Sequence, residues 1–186
     1  MSKSNLKGRR IAVLATDGVE QVELTEPVKA LKQARAEVVV IAPHGGQIQG
    51  MNHHDKGDKL NVDLELDKAE PERFDALLLP GGVANPDTLR TIPQAVAFVR
   101  HFVTSDKPIA AICHGPWTLI EADGVRGHTM TSWPSLQTDL RNAGAKWEDR
   151  TVIRDGRLVT SRKPDDLPAF CQEMVQLFGE VARRAA

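Results

Sequence analysis

Short apolar runs that alternate with helical patterns restrict the fold of this 186-residue chain more than any other feature. Runs typical of buried strands cover residues 10–15, 37–42, 75–79 and 108–112. Between strands of this kind, apolar residues recur at helical spacing. Such alternation requires right-handed crossovers and a mainly parallel sheet covered by helices on both faces. The sequence therefore predicts the α/β class, as a flavodoxin-like three-layer sandwich in which residues 1–186 form a single domain.

Helices are predicted wherever the apolar residues recur every three or four positions. Leu24, Val28 and Leu31 mark one face of the first helix. A helix that begins near Pro93 follows the third run, and another begins at Pro116. The helix near Pro93 carries the stripe Val96, Val99 and Val103. Two further helices are predicted from the stripes Leu136, Leu140 and Ala143, ended by Gly144, and Leu167, Phe170, Met174, Leu177 and Val181, capped by Asp165 or Asp166.

Two segments interrupt the alternation. Residues 44–70 contain several glycines and a short period-two pattern, which indicates a hairpin or an edge strand. Residues 151–160 are typical of two short strands joined by a tight turn at Asp155 and Gly156. The chain has no internal repeat, linker or low-complexity stretch, so one domain suffices.

The composition excludes several classes of partner. The chain is 41% hydrophobic and 26% charged, with a net charge of −1, so it has no strong field to attract nucleic acid or an anionic membrane. No run approaches the roughly 20 apolar residues that span a bilayer. The first ten residues lack the apolar stretch of a secretory signal. We therefore expect a cytoplasmic protein with no nucleic-acid or membrane partner.

The two cysteines have different surroundings in the sequence. They form neither a disulfide framework nor a Cys-x-x-Cys pair, and Cys171, beside the apolar face of the last helix, is typical of a core residue. Cys113 lies in Ala-Ile-Cys-His-Gly, residues 111–115, the small-x-nucleophile-x-Gly pattern of a nucleophile elbow. At such a turn the sulfur meets a helix N-terminus, which favours the thiolate and lowers the thiol pKa. A buried cysteine that merely ends a strand is the alternative.

Two other strand ends should meet Cys113, because sites in open α/β sheets form at the carboxyl ends of the strands. Glu20 follows the first strand and could bond the sulfur, keep its proton through burial and act as an acid–base group. It could equally be an exposed loop residue, and Glu23 and Glu26 nearby leave the choice open. Gly82 follows the strand at 75–79 and could supply an oxyanion-hole N–H group.

The histidines leave more alternatives. His114 could be a general base, orient a carboxylate or only line the pocket, because neighbouring residues on a helix point about 100° apart. His53, His54 and Asp55 could bind a metal. Adjacent histidines in a strand point to opposite faces, however, and no further ligand at suitable spacing is evident. A polar loop is the preferred interpretation, and no metal site is expected.

At these residues the chain resembles the PfpI-type intracellular protease family, within the parkinsonism-associated deglycase superfamily. The resemblance runs from about residue 10 to residue 177. Its motifs are DGVEQVEL at 17–24, FDALLLPGG at 74–82, KPIAAICHGP at 107–116, NAG at 142–144, LVTSR at 158–162 and DDLP at 165–168.

The resemblance implies roles for individual residues. Cys113 matches the family nucleophile, His114 the histidine that follows it, Glu20 the carboxylate bonded to the cysteine and Gly82 the oxyanion-hole glycine. Asp87 falls near a carboxylate that pairs with the histidine across a subunit interface, although its loop is one residue longer than in other members. The family also implies a homo-oligomer, at least a dimer, without a metal or organic cofactor.

The activity that this resemblance implies has three forms. The preferred hypothesis is a stress-protective enzyme acting on reactive carbonyls, either a cofactor-independent glyoxalase for small 2-oxoaldehydes or a deglycase for glycated proteins and peptides. The second hypothesis is an intracellular cysteine peptidase. The third is a redox sensor or chaperone that uses an oxidisable Cys113. The two enzymatic hypotheses begin with attack of a thiolate on a carbonyl carbon.

Overall fold

The computed structural model describes residues 5–180, which contain twelve strands and six α-helices. In chain order the strands are β1 (Arg10–Leu14), β2 (Val19–Glu20), β3 (Glu37–Ala42), β4 (Gln47–Asn52), β5 (Asp55–Asn61), β6 (Leu64–Glu65), β7 (Ala76–Leu79), β8 (Ile109–Ile112), β9 (Thr129–Met130), β10 (Lys146–Trp147), β11 (Val152–Asp155) and β12 (Leu158–Ser161). The helices are α1 (Gln21–Gln33), α2 (Ala84–Leu89), α3 (Pro93–Thr104), α4 (Pro116–Glu121), α5 (Gln137–Asn142) and α6 (Leu167–Gly179).

Seven of these strands form the central sheet, in the order β11-β12-β8-β7-β1-β3-β6. Every neighbouring pair is parallel except β11 and β12, which form an antiparallel edge. The four strands predicted from apolar runs are confirmed, because these runs form β1, β3, β7 and β8. Parallel strands need crossover connections, and the intervening helices supply them.

Helices cover the sheet on both faces, and each face has its own core. Ala12 and Leu14 of β1 point to one side, where they pack with residues of α3, α4 and α5. Ile11 and Val13 point to the other side, where they pack with residues of α1 and α6. Alternate side chains of one strand are therefore buried in two different cores, which explains the continuous apolar run. The predicted flavodoxin-like three-layer α/β fold is confirmed.

The two interrupting segments form the predicted hairpins. Strands β4 and β5 pair antiparallel and join β2 in a separate three-stranded sheet, while β6 adds an edge strand beside β3. Strands β11 and β12 pair across the turn at Asp155 and Gly156, as the sequence predicted. The hairpin of β4 and β5 stands beside the start of α1, next to the carboxyl end of the sheet.

Helix details differ from the prediction in two places. Fully buried residues of α3 are Ala95, Phe98, Val99 and Phe102, whereas Val96 and Val103 of the predicted stripe are only half-buried. Asp166 lies at the N-terminus of α6 but makes no capping hydrogen bond.

The Asp166 carboxylate instead accepts hydrogen bonds from Arg162 at 2.8 and 3.1 Å, and the Asp165 carboxylate pairs with Lys163 at 3.1 Å. The prediction that Asp165 or Asp166 caps α6 is therefore wrong. Val181, predicted to face the core, lies outside the described residues. Among the described helices, none combines the length and apolar character that crossing a bilayer would demand.

The packing of α6 can be tested at two adjacent positions. Phe170 is fully buried against the sheet, whereas Cys171 is half-buried at the margin of the same core. Phe170→Ala should lower the free energy of unfolding by about 3–5 kcal/mol, because it leaves a cavity. Cys171→Ala should cost less than about 1.5 kcal/mol. Urea unfolding of both variants gives the comparison, and equal losses would contradict this packing.

Candidate active site

Cys113 occupies a strained turn between β8 and α4. Its backbone has a φ of 61°, in the left-handed region that few non-glycine residues adopt. Its N–H group donates to Ser161 O at 3.1 Å, and the next turn closes from Gly115 N to Ile112 O at 2.9 Å. A Cβ atom on Gly115 would lie 2.5 Å from Leu79 O, so only glycine fits this close approach. The turn has the strain and crowding of the predicted nucleophile elbow.

The carboxyl group beside the sulfur belongs to Glu23, in the first turn of α1. Glu23 is fully buried, interacts with the Cys113 thiol and accepts a hydrogen bond from Gly81 N at 3.0 Å through Oε2. The prediction that Glu20 lies against the sulfur is therefore wrong. Side chains on a helix point back towards its N-terminus, so Glu23 reaches the sheet edge from inside α1. Glu20, at the end of β2, accepts from His53 N at 3.0 Å.

His114 also contacts the Cys113 sulfur. Its Nδ1 lies 3.1 Å from Cys113 Sγ, and its Nε2 lies 3.4 Å from Ser135 Oγ. The ring stacks against Trp133 at 5.8 Å between centroids and packs at a tilt on Trp117 at 5.1 Å. Burial lowers the pKa of His114 to about 4. The imidazole is therefore neutral at physiological pH, with one ring nitrogen free to accept a proton.

The carboxyl group of Glu23 and the thiol of Cys113, which interact with each other, both resist ionisation. Burial raises the pKa of Glu23 to about 8, so this carboxyl keeps its proton at neutral pH. Burial also raises the pKa of Cys113, and an ionised Glu23 would act in the same direction. The N–H groups of Gly82 and His114 lower the thiol pKa, but they do not outweigh burial. The lowered pKa expected for Cys113 from its turn alone is therefore wrong.

Glu23 and Cys113 consequently titrate as a pair. Two interacting groups lose their protons in macroscopic steps that belong to both. In the singly ionised pair, a carboxyl that keeps the remaining proton can donate it to the thiolate, which stabilises the reactive form of sulfur.

A cleft of about 730 Å³ opens above the sulfur. Its walls include the hairpin tip at His53 and His54, the loop after β7 at Gly82 and Val83, and Trp133. Within residues 5–180, no three His, Cys, Asp or Glu side chains are grouped as metal ligands. The hairpin histidines, His53 and His54, are exposed and line the cleft.

Asp87 lies on the exposed surface of α2. In the described chain, His114 contacts Cys113 through Nδ1 and Ser135 through Nε2. Asp87 of a second subunit was the predicted partner of His114. That pairing stays a prediction.

Sequence reasoning named Glu23 only as an alternative to Glu20, and it missed Ser135. Glu23 precedes Pro27 and Leu31 at four-residue spacing, and all three are buried. A glutamate in phase with the core face of a helix is the signal that could have identified it. Ser135 has no such signal, because it follows β9 in a 3-10 turn that only the complete fold brings to His114.

With this geometry established, the family assignment follows from comparison with known proteins. Residues 9–177 match the DJ-1/PfpI family, and the chain belongs to that family. Several relatives that are named as enzymes resemble the chain over nearly their whole length.

Protein/nucleic acid deglycase 2 of Escherichia coli is 45% identical over 92% of this chain and 98% of its own length. A Bacillus subtilis protein named as a candidate cysteine protease, YraA, is 42% identical over 91% of this chain and 98% of its own. Among solved structures, a two-domain protein of Anabaena variabilis with DJ-1/ThiJ/PfpI-like and ferritin-like domains is 35% identical. It has a TM-score of 0.86 and is matched over 92% of this chain and 48% of that one.

The paired titration can be tested by alkylation of Cys113 with iodoacetamide across a pH series. Glu23→Leu removes the acid and leaves a buried thiol, so the midpoint should rise by at least about one pH unit. Glu23→Gln keeps a weaker donor and should lie between. Glu20→Gln should lower the midpoint, because the charge of Glu20 raises the pKa of Glu23. If all four curves coincide, Glu23 is not coupled to the sulfur.

Proposed function

We propose that this chain is a cysteine-dependent enzyme that acts on reactive carbonyls, as a glyoxalase for small 2-oxoaldehydes or a deglycase for early glycation adducts. One observation carries the proposal: Cys113 sulfur lies between a protonated acid, Glu23, and a neutral base, His114 Nδ1 at 3.1 Å. This pairing supplies both proton carriers that addition to a carbonyl and rearrangement of the adduct require. The name of the similar Escherichia coli protein supports a deglycase.

In the first step on methylglyoxal, Sγ attacks the aldehyde carbon. A C–S bond forms, the carbonyl π bond breaks, and its oxygen takes a proton to give a hemithioacetal. The N–H group of Gly82, the predicted oxyanion-hole donor, points towards Sγ and supports stabilisation of the negative charge on that oxygen. His114 or Glu23 then moves a proton from the former aldehyde carbon to the neighbouring carbon. The resulting thioester is hydrolysed to lactate, and the thiol is regenerated.

The same residues suffice for an early glycation adduct. Sγ attacks the carbon that bears the hydroxyl and amino groups of an aminocarbinol, and the C–N bond breaks. The leaving amine takes a proton, and the same hemithioacetal remains on Cys113. Glyoxalase and deglycase activity thus share every step after the first bond change.

Peptide cleavage has weaker support from the site. Among the described residues, His114 Nε2 lies 3.4 Å from Ser135 Oγ and contacts no carboxylate that would orient the imidazole as in a protease triad. The name of the similar Bacillus subtilis protein, a candidate cysteine protease, supports a cysteine peptidase as the second candidate function. Oxidation of Cys113 in a sensor or chaperone stays a prediction.

The proposed setting is a reducing cytoplasm, where a thiol nucleophile remains available. We also propose a homo-oligomer. Val83 and Trp133, on the rim of the cleft, are 57% and 36% exposed, and association would cover them. Asp87 of a second subunit would then be the partner proposed for His114.

The test of the proposed activity is lactate formation from methylglyoxal, with release of free amine from a methylglyoxal-treated acetyl-lysine as a second assay. Cys113→Ala should lower both rates by at least about a thousandfold, because no other group forms the hemithioacetal. Cys171→Ala removes a thiol outside the cleft and is the matched control, with rates expected to stay within about twofold. Equal lactate production by wild type and Cys113→Ala would refute the proposal.

A further inference from the structure

Glu20 is a second carboxylate in the cleft, and the proposed chemistry does not use it. It is only 6% exposed, yet it lines the cleft that contains Cys113 and His114. Its Oε2 accepts a hydrogen bond from the backbone N–H group of His53 at 3.0 Å. Its Oε1 has no hydrogen-bond partner among the described residues, and it is not sealed from solvent. Glu20 therefore presents an unpartnered carboxylate oxygen to the space where substrate would lie.

The hydrogen bond to His53 holds this oxygen in place. His53 has a φ of 58° at the tip of the β4–β5 hairpin, and Gln21 fixes the same hairpin through Asp58 N at 2.6 Å. Two consecutive residues, Glu20 and Gln21, thus attach the hairpin to the start of α1. The carboxylate is pre-positioned, so a ligand would not have to order it on binding.

The other groups around the cleft do not neutralise Glu20. No lysine or arginine occurs among the described residues that line it. The lining imidazole of His114 is neutral, because burial lowers its pKa to about 4. The remaining imidazoles, His53 and His54, are exposed to solvent at the hairpin tip. A small cleft with one buried carboxylate and no fixed cation attracts positive charge.

We propose that Glu20 is a specificity residue that binds a cationic nitrogen of the substrate through Oε1. The preferred substrates would be adducts of arginine or lysine side chains, whose guanidinium or protonated amine could reach Glu20 while the carbonyl-derived carbon meets Cys113. Adducts with an anionic group beside the reacting carbon would be disfavoured. This inference rests on the proposed function for its substrate, but its first test does not.

That first test measures the field at the sulfur with methanethiosulfonate reagents that differ in charge. The thiolate attacks the reagent sulfur, a disulfide forms, and methanesulfinate leaves, so no catalytic turnover is needed. The reagents carry a trimethylammonium, a neutral methyl or a sulfonate group. Rates are measured in a Cys171→Ala background at low salt and about pH 7.5, where imidazoles of ordinary pKa are mostly neutral. Each rate is divided by that of 2-mercaptoethanol, which removes intrinsic reactivity.

The normalised cation-to-anion ratio should be at least about tenfold in the protein with Glu20 intact. Glu20→Gln keeps an acceptor for His53 N–H but removes the charge, so the ratio should fall at least about threefold. Any preference for cations that remains would come from Glu23 in the same cleft. Glu20→Asp keeps the charge and should retain most of the preference. Glu26→Gln removes the same charge from the exposed surface of α1, outside the cleft, and should leave the ratio unchanged. A ratio that Glu20→Gln does not alter would overturn the proposal.

The second test uses substrates. The kcat/KM for the methylglyoxal adduct of acetyl-arginine amide, relative to that for methylglyoxal itself, should fall at least about fivefold in Glu20→Gln. An unchanged relative value would overturn the assignment of the substrate class, even if the reagent ratio behaved as expected. If wild type turns over neither compound, the proposed function fails, while the reagent experiment still decides whether Glu20 selects cations.

Discussion

The burial of a single carboxyl group, that of Glu23, sets the conditions for the rest of the site. Glu23 reaches the sulfur only because Gly81 has no side chain, since a Cβ atom there would lie 2.5 Å from its Oε2 and 2.6 Å from Cys113 Cβ. The same close packing excludes water and holds a proton on the acid at neutral pH. A larger residue at position 81 would separate the acid from the thiol. The chemistry of Cys113 thus depends on a glycine at position 81, in the loop that follows β7.

The parallel sheet makes this meeting of residues possible. Cys113 follows β8, Gly81 follows β7, and Glu23 lies just after β2, in a connection that leaves β1. Strands β1, β7 and β8 are neighbours and parallel, so their carboxyl ends open on the same edge. These residues lie in a helix or directly after a strand rather than in long loops. The distances between them should therefore change little when a ligand binds.

The sequence was most informative where a residue type is required by backbone geometry. Cys113 in its Ala-Ile-Cys-His-Gly turn, and Gly82 after β7, could be placed because strand ends and glycine positions follow from pattern. The choice between Glu20 and Glu23 could not be made in this way. It depended on α1 beginning at Gln21, one residue after β2, which turns Glu23 inward. Helix boundaries of that accuracy are beyond periodicity alone.

Properties that depend on three-dimensional burial were also out of reach. The turn at Cys113 predicted donors at the sulfur, and those donors are present, yet the surrounding packing raises the thiol pKa instead. Asp166 shows the same limit, since its helix-start position predicted a cap while Arg162, four residues earlier, bonds its carboxylate. In both cases a local signal was overridden by a partner that the fold brought into contact.

The aromatic surroundings of His114 give the site an optical property. Two of the three tryptophans of the chain, Trp117 and Trp133, pack on its imidazole. The third, Trp147, is linked to the same region through a hydrogen bond from Nε1 to Ser132 Oγ, next to Trp133, at 2.9 Å. Indole emission is quenched by nearby charge, so a proton gained by His114 or an adduct on Cys113 would change the intrinsic fluorescence. Stopped-flow emission could therefore follow occupancy of the cleft in real time, without an attached dye.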